Sequence, residues 1–201
     1  MKTLKVGDKL PEFIAVDENG NNVKSTDWIG KKTIIFFYPR ANTPGCTAEA
    51  CNLRDNFKEL SEMGYQLIGV SADNPKKQKN FIDKYKLPFT LLADEKKVII
   101  ESFGVWGPKK FQGREYDGIH RMTFLINESG IIEKVIDKVK TKNHSAQIIE
   151  INSSLFNHFC YIAFPAKHII FHNLFGNFRR KLIYLILLTF FYFRKDFTRE
   201  Y

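Results

Sequence analysis

Apolar positions in the first 151 residues follow two patterns. Continuous runs at Thr33–Tyr38 and Gln66–Ala72 predict buried strands, whereas apolar residues spaced by three and four between 50 and 60 predict a helix. That helix should reach about Met63, because Gly64 supplies a stop signal. The other predicted elements are strands at 13–17 and 89–93, a helix at 75–85, a hairpin of 121–127 and 131–137, and a last helix starting near 143. This alternation predicts one α/β domain over residues 1–151, long enough for a sizeable core.

The segment 39–51 joins the first buried strand to the helix that follows it. Thr43 is a good N-cap residue and Pro44 suits the first helical position, so Cys46 falls in the first turn. Backbone N–H groups there have no partner within the helix, and the helix dipole favours negative charge. This environment favours the thiolate form of a cysteine, so the sequence predicts a reactive thiol at a strand-to-helix junction.

A second cysteine, Cys51, follows five residues later on the same predicted helix. Helical geometry separates the two α-carbons by roughly 8–9 Å. A disulfide reaches about 7 Å between α-carbons. Bonding between Cys46 and Cys51 would therefore require the first turns of the helix to unwind, which indicates a reaction cycle with local unfolding.

Pro39, Thr43 and Cys46 match the Pro-x-x-x-Thr-x-x-Cys signature of the peroxiredoxins, and Cys51 matches the spacing of the PrxQ-type (bacterioferritin comigratory protein) subfamily. The chain resembles this family from residue 1 to about residue 151. Further matching segments are 6–13, 67–73 and 118–126. The resemblance implies a thioredoxin-like fold of the peroxiredoxin type, in which a central mixed sheet is flanked by helices.

The resemblance also implies a thiol-dependent peroxidase. Cys46 would attack the peroxide and become a sulfenic acid, and Cys51 would resolve it to a disulfide that a thioredoxin-like or glutaredoxin-like protein reduces. Hydrogen peroxide and organic hydroperoxides both suit such a cycle, which needs no cofactor and no metal. A resolving cysteine five residues away makes a dimer unnecessary, so we expect a monomer.

Four further residues acquire roles by resemblance. Arg121, borne on a strand, would stabilise the Cys46 thiolate and the charge on the departing oxygen, and Thr43 would offer its hydroxyl to the peroxide. Pro39 would shield the thiolate from water. Glu49 resembles the family's acidic residue that orients the arginine, and an exposed helical glutamate is the alternative.

Other interpretations of the cysteines stay open. A buried cysteine is often inert, and a CxxxxC pair can be half of a metal site, although the five histidines show no zinc-ligand spacing with it. Three cysteines without a signal peptide disfavour a structural disulfide and favour a cytoplasmic location. Alternative functions are a peroxide sensor or thiol relay, and a membrane-docked binding protein with a non-functional cysteine motif.

Charge and composition change abruptly after residue 151. Residues 1–151 carry 24 Lys/Arg and 20 Asp/Glu, a net charge of +4, while residues 152–201 carry 7 and 2, a net charge of +5. The lysines of the domain lack the interleaved aromatic residues of single-stranded nucleic-acid binding, so no nucleic-acid partner is expected. In the tail, 14 of 50 residues are aromatic.

The tail 152–201 therefore has three interpretations. A frameshift or readthrough of the gene explains the abrupt change best. An apolar run at 182–193, bracketed by basic residues, suits an interfacial membrane segment but is shorter than the roughly 20 residues of a spanning helix. The third possibility is an added element packed on the domain.

Overall fold

The computed structural model describes residues 2–111 and 113–152, without the side chain of Phe111. The hypotheses about the tail lie outside the described residues. None of the helices in the described part of the chain is long and apolar enough to cross a membrane.

The described strands form a seven-stranded mixed sheet and a separate two-stranded hairpin. The strands are β1 (Ile14–Asp17), β2 (Asn22–Lys24), β3 (Lys32–Phe37), β4 (Tyr65–Ser71), β5 (Thr90–Ala93), β6 (Trp106–Phe111), β7 (Arg114–Ile119), β8 (Met122–Ile126) and β9 (Ile132–Ile136). The large sheet has the order β2-β1-β5-β4-β3-β8-β9, and β6 pairs with β7. At the centre of the large sheet β3, β4 and β5 are parallel, while β8 runs antiparallel to β3.

Helices cover both faces of the sheet. They are a 3-10 helix (Ser25–Trp28), α1 (Pro44–Asp55), α2 (Phe57–Glu62), α3 (Pro75–Tyr85), α4 (Val98–Ser102) and α5 (residues 144–152). Alternate residues of β3 point to opposite faces, so Ile34 and Phe36 join one hydrophobic cluster and Ile35 and Phe37 join the other. The first cluster takes buried residues from α1, α2, α3 and α5; the second takes them from the 3-10 helix and α4.

The strands predicted from apolar runs are confirmed to within a residue or two, and the helix 75–85 is confirmed at both ends. The single helix predicted to Met63 is wrong, because it breaks at Asn56 into α1 and α2. The side-chain amide of Asn56 donates a 2.8 Å hydrogen bond to the carbonyl of Asn52, which competes with regular helix bonding at this point.

Neither α4 nor the β6–β7 hairpin is predicted from the sequence. The residues of β7 from 114 to 117 are exposed, so the hairpin lacks the buried alternation that identifies a strand. This hairpin ends at Ile119, two residues before Arg121. The connection between β7 and β8 therefore carries Arg121, and the prediction that it lies on a strand is wrong.

Gly104 marks a close approach of two backbone segments, and its replacement tests the packing of the N-terminal segment. A Cβ at Gly104 would lie 2.1 Å from the carbonyl oxygen of Lys2, and Gly104 itself has a φ of +62°. Gly104→Ala should therefore lower the free energy of unfolding by about 2–4 kcal/mol in denaturant titration. Gly20→Ala is the control, since Gly20 has φ +88° but no heavy atom within 4 Å of an added Cβ. It should lose only about 1–2 kcal/mol, and equal losses would contradict the close approach.

Candidate active site

A buried polar network anchors the loop that leads from β3 into α1. Asp73 Oδ2 accepts hydrogen bonds from the backbone N–H of Ala41 at 2.8 Å and from the hydroxyl of Ser71 at 2.9 Å. Gln78 donates to the same hydroxyl at 3.0 Å and accepts from the phenol of Tyr38. Burial raises the pKa of Tyr38 well above its usual range, which keeps this phenol a donor. The network holds the backbone of Ala41, three residues before α1 begins.

The Cys46 side chain lies in the first turn of α1, where it was predicted, and is 2% exposed. Arg121 Nη2 donates a hydrogen bond to Cys46 Sγ at 3.2 Å. The guanidinium covers the same turn, since a Cβ on Gly45 would lie 3.5 Å from Nη2. A cation and a helix N-terminus therefore meet at one sulfur atom, and both are placed to stabilise negative charge there.

Glu49 holds the other side of the guanidinium. It lies one turn beyond Cys46 on α1, is 0% exposed, and forms an ion pair with Arg121 Nη1 through Oε2. The exposed-glutamate alternative is therefore wrong, because this carboxylate is buried against Arg121. Burial alone would lower the pKa of Arg121, but the charges of Glu49 and Cys46 and the hydrogen bonds to both raise it. The guanidinium thus stays charged beside the sulfur.

The remaining oxygen of Glu49 faces a buried histidine. Glu49 Oε1 lies 3.2 Å from His144 Nδ1, although the alignment is poor for a hydrogen bond. On the other side of the ring, Nε2 lies 3.0 Å from the hydroxyl of Thr123 in β8. His144 is the first residue of α5, so Glu49 connects the cysteine helix to the C-terminal helix of the domain.

Thr43 and Pro39 lie in the loop before α1. Thr43 occupies the N-cap position as predicted, but its side chain makes no cap hydrogen bond. Instead its hydroxyl donates to the carbonyl of Arg40 at 2.9 Å, which leaves the oxygen lone pairs available to accept. Pro39 is exposed, two residues beyond the end of β3.

Cys51 lies on the same continuous helix as Cys46, and both thiols are free. Cys51 is half-buried, whereas Cys46 is buried. Both cysteines fall within Pro44–Asp55, so the helical separation of roughly 8–9 Å applies. A disulfide between them requires this part of α1 to unwind.

Three residues near the site were missed by the sequence analysis. Asp73 and His144 act through tertiary contacts, for which the local pattern carries no signal. Lys109 in β6 donates to the carbonyl of Ile119 at 2.8 Å, and burial, followed by the charge of Arg121, lowers its pKa. Within the described residues, no group of three or more His, Cys, Asp or Glu side chains is arranged to hold a metal ion.

The fold and this site together define a peroxiredoxin, a thiol-dependent peroxidase with a thioredoxin-like fold. The AhpC/TSA family model matches residues 6–135, and the chain belongs to this family. The predicted family, fold class and thiol peroxidase function are thereby confirmed.

Curated relatives and solved structures agree with this assignment. A putative peroxiredoxin bcp of Haemophilus influenzae is 51% identical over 155 residues, which cover 77% of this chain and 100% of the relative. Peroxiredoxin Bcp of Escherichia coli is 50% identical over 144 residues, covering 72% and 92%. The solved bacterioferritin comigratory protein of Xanthomonas campestris superposes with a TM-score of 0.67 at 27% identity, covering 75% of this chain and 99% of that one.

Replacing Arg121 tests whether its geometry matters beyond its charge. Arg121→Lys keeps the cation but loses the fork that contacts Glu49 and Cys46 together. The second-order rate of peroxide consumption should fall by about 10²-fold, as it does when one preorganised donor is removed. Arg114→Lys, at an exposed position of β7, is the matched control and should keep the wild-type rate. A wild-type rate for Arg121→Lys in stopped-flow would show that charge alone suffices.

Proposed function

We propose that Cys46 is the peroxidatic cysteine and Cys51 the resolving cysteine of this peroxidase. The Cys46 thiolate attacks one peroxide oxygen, the O–O bond breaks, and the departing alkoxide or hydroxide takes up a proton to leave as alcohol or water. The Cys51 thiol then attacks the Cys46 sulfenic acid, which forms a disulfide and releases water. The contact of Arg121 Nη2 with Cys46 Sγ at 3.2 Å is the observation that carries this proposal.

Surrounding residues supply the electrostatics of the first step. Arg121 stabilises the thiolate and then the charge that develops on the departing oxygen, because a fixed cation in a buried site needs no reorganisation. Glu49 orients the guanidinium. Thr43, whose hydroxyl already donates to a backbone carbonyl, accepts the O–H of the incoming peroxide. Pro39 limits the access of water to the sulfur.

Regeneration needs an external dithiol. A thioredoxin-like or glutaredoxin-like protein exchanges its thiols with the Cys46–Cys51 disulfide and is itself oxidised. Organic hydroperoxides and hydrogen peroxide are the proposed substrates; the solved Xanthomonas campestris relative is described by its alkyl peroxide reduction activity. We place the cycle in the reducing cytoplasm, with the protein acting as a monomer, since both reacting thiols belong to one helix.

Two cysteine variants test the assigned order of events. Cys46→Ser should abolish rapid peroxide consumption in stopped-flow, because it removes the thiol that Arg121 contacts. Cys51→Ser should consume one equivalent of peroxide at the wild-type rate and then retain a sulfenic acid that a dimedone-type probe traps. Rapid turnover by Cys46→Ser, or no trapped sulfenic acid in Cys51→Ser, would contradict the assignment.

Disulfide formation should also change the backbone protection of α1. The amides of the first turns of α1 should lose protection from hydrogen exchange when the oxidised protein is compared with the reduced one, because the disulfide cannot form in an intact helix. Amides of α3, which carries no reacting group, are the internal control. Unchanged protection in α1 of a protein with a verified Cys46–Cys51 disulfide would contradict the unwinding.

A further inference from the structure

The buried side chain of His144 has no part in the proposed cycle, yet it contacts the centre of the site. It is 0% exposed, and both ring nitrogens face polar atoms on other elements: Glu49 on α1 and Thr123 on β8. Phe36 packs edge-on against the ring, with the ring centroids 6.3 Å apart. Among the described residues, neither Glu49 Oε1 nor His144 Nδ1 has another polar partner. The two atoms therefore depend on each other for pairing.

Glu49 lies between Cys46 and Cys51, on the segment that must unwind before the disulfide forms. Unwinding separates its carboxylate from Arg121 and from His144 together. The other buried side chains of this segment are Cys46 and Ala50, which are small. Little apolar area therefore holds these turns in place, so unwinding costs mainly their backbone hydrogen bonds and the polar contacts of Glu49.

We propose that His144 is a positioning residue. Through its contact with Glu49, it sets the equilibrium between the helical form of α1, which reacts with peroxide, and the unwound form, which forms the disulfide. This inference rests on the proposed two-cysteine cycle and concerns its second step, the formation of the disulfide. The residue that acts on this step, His144, lies on α5, a helix that contributes no reacting atom. With a proton on Nδ1, the ring stabilises the Glu49 carboxylate, and its Nε2 accepts the hydroxyl of Thr123.

The balance has a chemical consequence, because the Cys46 sulfenic acid has two fates. Condensation with Cys51 releases water and needs an unwound helix. Attack by the sulfenic acid on a second peroxide breaks another O–O bond, gives a sulfinic acid and releases alcohol or water. This second reaction needs the conformation in which the first turns of α1 are helical. Removing the contact between His144 and Glu49 should therefore accelerate disulfide formation and protect Cys46 from over-oxidation.

Two conservative variants test the contacts of the two ring nitrogens of His144 separately. In His144→Asn the amide nitrogen can occupy the place of Nδ1 and keep the donor beside Glu49, but the shorter side chain no longer reaches the hydroxyl of Thr123. In His144→Gln the amide reaches towards the place of Nε2, and nothing donates to Glu49. Ile148→Ala is the structural control, because Ile148 is 0% exposed on the same helix but has no polar group to offer Glu49.

The experiment mixes each reduced full-length protein rapidly with peroxide and counts sulfenic, disulfide and sulfinic forms by quenching and mass spectrometry. His144→Gln should form the disulfide about threefold faster and need about threefold more peroxide for half over-oxidation, because a misaligned polar contact contributes less than the roughly tenfold of a full hydrogen bond to a charged group. His144→Asn should restore most of the wild-type partition. Ile148→Ala should keep that partition even where its unfolding midpoint falls.

Four results would overturn the inference. His144→Gln could partition like wild type, or Ile148→Ala could shift the partition as far as His144→Gln, which would reduce His144 to a structural role. Equal shifts in His144→Asn and His144→Gln would exclude the Glu49 contact as the cause. A wild-type protein that forms no Cys46–Cys51 disulfide would instead overturn the proposed cycle itself, and the inference with it.

Discussion

The contact of one guanidinium with a buried carboxylate and a sulfur atom is the interaction on which the site depends. Arg121 lies between β7 and β8, whereas Glu49 and Cys46 lie on α1, so the two contacts lock the helix against the sheet. Glu49 is fully buried, and an unpaired charge at that position would be strongly destabilising. The ion pair therefore fixes both the first turn of α1 and the cation that the sulfur requires.

In the proposed cycle the same helix must also unwind, so that Cys46 can bond to Cys51. A large apolar side chain buried between Cys46 and Cys51 would raise the free energy that unwinding costs. The buried residues between them are Glu49 and Ala50, so this segment has no such side chain. Leu53, the large buried side chain of α1, lies beyond Cys51 and is 0% exposed. The break at Asn56 separates α1 from α2. We therefore expect the first turns to unwind while Leu53 and α2 stay packed.

Local sequence signals predicted an α/β domain and the position of the thiol, but only part of the site. Apolar runs identified β3 and β4, and the Thr43-Pro44 pair located the start of α1. Resemblance to the peroxiredoxins suggested Arg121 and Glu49, but the burial of Glu49 depends on a partner 72 residues away in the chain. The role inferred for His144 depends on packing of α5 against α1 and β8, which no local pattern encodes.

Buried ion pairs are weak evidence for stability, because apolar residues of similar volume often stabilise a fold as well or better. An apolar pair in place of Glu49 and Arg121 could fill the same space, but it could not hold a charged donor 3.2 Å from the Cys46 sulfur. Nor would an apolar pair have polar contacts to lose when α1 unwinds. In the proposed cycle the buried charges serve the reaction in two ways: Arg121 places a fixed cation beside the Cys46 sulfur, and the separation of Glu49 from Arg121 and His144 adds to the free energy that unwinding of α1 costs.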